Sequence, residues 1–169
     1  FQRENIEKDL LDANSSYAMK MSDVMGNYIE MAQSELAYGA KKIESTNDID
    51  SLKDEADRLR LQSGMFNSVL VVSNDAVVLA TSPESLDLVG TRLNSSASKL
   101  AIEEKKPFIS SPLKSVTGNL IILLSHPIYD KGGNYIGYVG GSIYLKKHSL
   151  FGDVLSRHFF KNNTEISIV

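Results

Sequence analysis

The chain has 169 residues, 42% of them hydrophobic and 23% charged, the composition of an ordinary soluble globular domain. Its 18 Lys and Arg against 21 Asp and Glu leave a net charge of −3, so it lacks the basic excess with which a nucleic-acid binder neutralises phosphates. The absence of cysteine excludes disulfide staples and thiolate metal sites, and charge-free stretches such as Gln62–Asn74 and Tyr135–Leu145 fall short of the ~18–20 apolar residues of a membrane-crossing helix.

The chain begins at Phe1 with neither a methionine nor a leader and is expected to be a piece of a longer protein. From Arg3 to about Glu44 there is no proline, and Ile6, Leu10, Tyr17, Met21, Val24, Tyr28 and Met31 recur at steps of three, four or seven. That spacing predicts one helix with one apolar face. At a rise of ~1.5 Å per residue it is about 60 Å long, against a radius of gyration near 15 Å for a globule of this size, so it outreaches the body. Gly26 and Gly39 each weaken it, and Gly39 is the expected place for an interruption. Met19, Met21, Met25 and Met31 read as adaptable packing.

A second helix is expected after the caps Thr46, Asn47 and Asp48, with Ile49, Leu52, Ala56 and Leu59 at helical spacing before Gly64 stops it. The period then changes to that of strands: Phe66–Ser73, a turn at Asn74-Asp75, and Ala76–Thr81. After a loop at Pro83–Gly90, Ser95 or Ser96 caps a third helix that ends before Pro107. Three further strands follow, Pro107–Lys114, Asn119–Tyr129 and Tyr135–Leu145, joined by turns at Thr117-Gly118 and Gly132-Gly133. Hairpin connections this tight join antiparallel partners, so the five strands are expected in one antiparallel sheet, with the third helix on one face and the long helix on the other. Lys146–Phe160 reads as helical, and Glu165–Val169 as a strand that either joins the sheet or opens another module.

No enzyme signature is present. His126, His148 and His158 lack the spacing of a metal site, and Ser95-Ser96 and Ser110-Ser111 lack the GxSxG elbow. The glycines of Gly137-Tyr138-Val139-Gly140-Gly141 lie inside a strand with no helix after them to receive a phosphate. Glu103-Glu104-Lys105-Lys106 reads as a solvated helix end. Neither a cofactor nor a metal is expected.

Taken together, Phe66–Ser73, Val77–Pro83, Leu88-Val89-Gly90, Pro107–Pro112, Ser125–Asp130 and Ile136–Ile143 resemble, in that order over about 80 residues, the extracellular Cache domains of bacterial receptors, PAS-like folds also called PDC sensors. The resemblance implies an α+β fold, a PAS-like five-stranded antiparallel sheet preceded by a long N-terminal helix. It implies a division into a signalling and dimer helix (1–45), a membrane-distal sensor domain (46–160) and the start of a membrane-proximal module (161–169). It also implies a non-catalytic, extracytoplasmic part of a membrane-anchored receptor that binds a small molecule, with an output such as a diguanylate cyclase, a histidine kinase or a chemoreceptor signalling region. The alternative is a ligand-free dimerisation or interaction module. Two positions depart from the amino-acid-binding members. Thr91–Lys99 has no Trp or Tyr where those members have an aromatic and arginine cluster, and Ser142 stands where they have the aspartate that takes the amino group.

Strand alternation puts Tyr138, Gly140, Ser142 and Tyr144 on one face of the last strand and Val139, Gly141, Ile143 and Leu145 on the other. The polar face either lines a cavity, with Gly140 leaving space, or packs under the long helix. In the first case a ligand lies between the sheet and Leu86–Lys106, touching some of Arg92, Asn94, Ser96, Lys99, Ser125, Tyr138, Ser142 and Tyr144. Arg92 and Lys99 either bind an acidic ligand or are surface charges. The stripe Ile6, Leu10, Tyr17, Met21 and Val24 is expected to pair with a second copy in a parallel homodimer, because a helix longer than its domain cannot bury its whole apolar face there.

Overall fold

The computed structural model describes residues 2–46, 48–115 and 117–145, and side chains from Asp23 onward. Helix α1 spans Gln2–Glu44 and α2 spans Ile49–Leu61; strands β1 (Ser68–Ser73) and β2 (Val78–Ser82) follow, then a 3-10 turn at Glu84–Leu86 and helix α3 (Ser96–Glu104). Strands β3 (Phe108–Ile109), β4 (Leu113–Lys114), β5 (Leu120–Tyr129) and β6 (Tyr135–Tyr144) complete the described chain. The expected segments at 146–160 and 161–169 lie outside the described residues.

One antiparallel sheet runs in the order β2-β1-β6-β5-β3, with β4 also on β5. The α+β PAS-like reading holds, with six strands in place of five. The expected third strand is broken because the Ser110 hydroxyl, in place of a ladder carbonyl, accepts from the Leu123 amide at 2.9 Å, and Pro112 has no N–H to donate.

Each face of the sheet has its own core. Val69, Val71, Ile122, Leu124, Val139 and Ile143 pack with Met25, Ile29, Ala32, Leu36, Ala40 and Ile43 of α1 and Leu52, Ala56 and Leu59 of α2. On the opposite face Val72, Val78 and Tyr138 meet Leu93 and Ala101. The long helix and α3 therefore cover opposite faces, as expected.

Two expectations about α1 are corrected. It runs through Gly39 without interruption: a Cβ there would lie 2.8 Å from Leu59 Cδ1, so the glycine allows close approach of α2 and does not end the helix. Its apolar residues also form two faces and not one. Met25, Ile29, Ala32 and Leu36 are buried on the sheet, whereas Val24 and Met31 remain 57% and 59% exposed. Tyr28 sits between them, donating to the Met65 carbonyl at 2.7 Å.

A charged cluster fastens α2 to α1. The buried Glu55 carboxylate accepts from Arg58 Nε at 2.8 Å and Nη2 at 2.6 Å, and Arg58 reaches Glu35 of α1 at 3.5 Å. Lys42 lies 3.8 Å from Glu55, and the Tyr38 ring lies beneath both cations. No helix among the described residues is long and apolar enough to cross a membrane.

Candidate functional site

On the α3 face, beside that smaller core, a cavity of about 290 Å³ opens between the sheet and the segment that leads into α3. Its floor is made by alternate residues of three adjacent strands: Ser68 and Leu70 of β1, Ile121 and Leu123 of β5, and Tyr138, Ser142 and Tyr144 of β6. Leu86, Leu88 and Leu93 roof it, with Asn94 and Ser95 behind them. Leu113, Lys114, Ser115 and Thr117 close one side, and Arg92 stands at the rim.

The roof is held in place by the first residue of β2 and the two residues before it. Arg92 bridges Val77, the Thr91 carbonyl accepts from the Val78 amide at 3.0 Å, and Leu93 N–H donates to the Ala76 carbonyl at 2.9 Å. Ser95 caps α3, its hydroxyl accepting from the Ser98 amide at 3.1 Å. Ser98 and Tyr138 hydroxyls then meet at 2.8 Å in the interior and tie α3 to the sheet. Burial pushes the Tyr138 hydroxyl up to about 12, only partly opposed by that hydrogen bond.

Several of the polar atoms in the wall are already engaged. Ser115 and Thr117 hydroxyls bond each other at 2.9 Å within their turn. By contrast Ser68 and Ser142, which face each other across the β1–β6 pairing, are 5% and 4% exposed. Neither hydroxyl has a hydrogen-bond partner among the described residues.

Of the two readings of the polar face of β6, the structure decides for the cavity. Arg92, Asn94, Tyr138, Ser142 and Tyr144 line it. Ser96 and Lys99 do not, being exposed on α3, and Ser125 is buried where β5 pairs with Phe108, away from the lining. Gly140 plays a different part from the one expected: a Cβ there would press Leu123 Cδ1 at 3.0 Å and Tyr138 Cε2 at 3.3 Å, so its space belongs to those side chains and not to a ligand. Ser68, Lys114, Ser115 and the aliphatic lining were missed. Ser68 was knowable only through its pairing with Ser142. No cluster of acidic or histidine side chains among the described residues could hold a metal ion.

The fold is shared with receptor domains. An extracellular ligand-binding receptor from Desulfohalobium retbaense superposes with a TM-score of 0.72 at 19% identity, over 83% of this chain and 26% of that one. The ligand-binding domain of Pseudomonas fluorescens chemoreceptor CtaA in complex with L-isoleucine gives 0.65 at 18% identity, over 85% and 60%. That of the Pseudomonas aeruginosa amino acid chemoreceptor PctC in complex with GABA gives 0.64 at 13%, over 80% and 64%. The chain thus spans a quarter to about two thirds of these proteins, and no curated protein sequence matches it. Residues 20–144 match the family described as HK/GC/chemotaxis protein-like, sensor domain. Every residue that lines the cavity falls inside that span, and the chain belongs to this sensor-domain family.

Proposed function

We propose that this chain is the extracytoplasmic, non-catalytic sensing part of a membrane-anchored bacterial receptor, and that its ligand is a small molecule held in the cavity by Arg92, Asn94, Tyr138, Ser142 and Tyr144. The observation that carries the reading is an apolar cavity whose floor holds two serines, each more than nine-tenths buried, whose hydroxyls have no partner among the described residues, the mixture that small-ligand sites use. The similar chemoreceptor domains hold L-isoleucine and GABA, which supports a ligand of that size. The boundaries 1–45, 46–160 and 161–169 belong to the same proposal, as does an output domain elsewhere in the receptor.

A route for the signal is built into the sheet. Ile121, Leu123 and Ser142 face the cavity, while Ile122, Leu124 and Ile143 of the same strands press on the α1 and α2 core. A ligand that repacks one face therefore moves the seat of α1 on the other. On the far side of α1, Val24, Met31 and Tyr38 stand exposed at seven-residue spacing, and Leu10 and Tyr17 continue that spacing upstream. Such a stripe matches the repeat with which parallel helices pair, and it is assigned here to a second copy of the chain.

A thermal-shift screen tests the sensor reading. A ligand at 100 times its dissociation constant adds ~2.7 kcal/mol, or about 5–10 °C for a chain of this size. Ser142→Leu fills the floor and should abolish that shift while unfolding stays cooperative; an unchanged response would place the site elsewhere. No shift across a broad library would favour a ligand-free interaction module. For the dimer, single cysteines at Val24 and Met31 should cross-link to themselves in the intact receptor, and a cysteine at the exposed Glu30, about 100° round the helix from them, should not.

A further inference from the structure

The charges around the cavity are one-sided. Among the described residues Arg92 and Lys114 are the only ionised side chains in its lining, and they come from separate segments, the strand-like approach to α3 and β4. No aspartate or glutamate among the described residues lines it. Asp87, between two roof leucines, is exposed and outside the lining. Arg92 Nη2 lies 4.0 Å from Asp75 Oδ2, with both side chains more than half exposed, so this ion pair is a weak competitor for a guanidinium with five N–H donors. Apart from these two cations at the rim, the described lining is an aliphatic belt of leucines and an isoleucine from roof and floor, together with neutral polar groups: the two serine hydroxyls of the floor can each donate and accept, but neither carries charge.

From this we infer that the cavity takes a small organic carboxylate that bears no ammonium group. The inference rests on the reading of the cavity as the ligand site. At the rim an ammonium meets two like charges; at the belt it meets only carbon; at the floor it exchanges water for hydroxyl oxygens, which are weaker acceptors for a cation than a carboxylate. The carboxylate end finds two cations at the rim, and an apolar body fits the belt. In size, about 290 Å³ is roughly twice the ~150 Å³ in which an engineered protein cavity takes benzene, so a ring or a branched chain fits together with its carboxylate.

A single carbon skeleton with different end groups tests this on the 169-residue chain. The probes are 4-methylpentanoate, 4-methylpentanamide, 4-methylpentylamine and L-leucine, with the matching 3-phenylpropanoate and L-phenylalanine set. Affinity is read by calorimetry, and location by the amide resonances of Ser68 and Ser142. A carboxylate should shift those amides and bind at least about tenfold tighter than the amino acid or the amide of its skeleton. Its affinity should fall as salt is added. Arg92→Gln and Lys114→Gln should each weaken it about three- to tenfold, while Lys99→Gln, outside the lining, should leave it unchanged. If leucine or the amine binds as tightly and shifts the same amides, the ligand class is overturned and the cavity remains the site. Shifts confined to residues away from the cavity overturn both. A carboxylate series that fails to bind at millimolar concentration overturns the ligand class.

Discussion

Gly141 on β6 faces the α1 and α2 core, where the ring of Phe66 lies against its backbone. A Cβ on Gly141 would stand 2.3 Å from Phe66 Cδ1, 2.4 Å from Cε1 and 2.8 Å from Cγ. Ordinary carbon contacts are about 3.5–4.0 Å, so Gly141→Ala must drive the ring back by more than about 1 Å. Phe66 is 4% exposed and enclosed by the core. Overpacking of this kind costs about 1–3 kcal/mol, and the gain of alanine over glycine in a strand returns about 0.5–1 kcal/mol. With an enclosed ring displaced this far the cost lies in the upper part of that range, about 2–3 kcal/mol, and a net loss of about 1–2.5 kcal/mol follows, a fall in Tm of about 2–10 °C. Urea denaturation of Gly141→Ala, Phe66→Leu and the double variant separates ring clash from backbone effects, since shortening Phe66 removes the obstacle. The double variant should be more stable than the sum of the single losses by at least about 0.5 kcal/mol. Additive losses, or a Gly141→Ala protein as stable as the parent, would refute the packing argument. Because Gly141 points away from the cavity, its variant should still bind ligand like the parent.

Gly137→Ala should be worse and should have no side-chain rescue: its Cβ would lie 2.0 Å from the Val72 carbonyl oxygen and its φ is +151°, so urea denaturation should show a loss of about 3 kcal/mol. Glu55→Gln removes the partner of a largely buried guanidinium and should cost about 2–4 kcal/mol, whereas Glu55→Met with Arg58→Met should recover most of it; equal losses would contradict the pairing. The Tyr138 hydroxyl, pushed up to about 12 from 10.0 by burial, keeps its proton in the folded chain after the unfolded chain has lost its own. Stability should therefore fall by roughly 1 kcal/mol per pH unit on this account as pH rises from about 10 to 12, and Tyr138→Phe should flatten that part of the profile.

Local pattern alone determined the elements. The helical period through α1, the caps and aliphatic spacing of α2, and the turn chemistry at Asn74-Asp75, Thr117-Gly118 and Gly132-Gly133 depend on neighbours a few residues apart, and the resemblance carried by the strand motifs arranged them in the right fold. The alternation of β6 likewise grouped Tyr138, Ser142 and Tyr144 on one face before any partner was known. Which side of the protein that face meets depends on contacts far apart in sequence. Strand β1 lies beside β6 although much of the chain separates them, and only that pairing sets Ser68 opposite Ser142. The run Ser68-Val69-Leu70-Val71-Val72 is almost uniformly apolar because it is buried on both faces, so its alternation carries no polar mark to read. The same is true of Gly39, Gly140 and Gly141. As letters they suggest flexibility or empty space, and in the folded chain they are the places where Leu59, Leu123 and Phe66 come too close for a Cβ. Lys114 and Arg92 converge on one cavity rim, and Lys99 is left outside it, because β4 and the approach to α3 are brought together by the sheet. Charge at a distance in sequence becomes a site only when tertiary packing sets it around a common space.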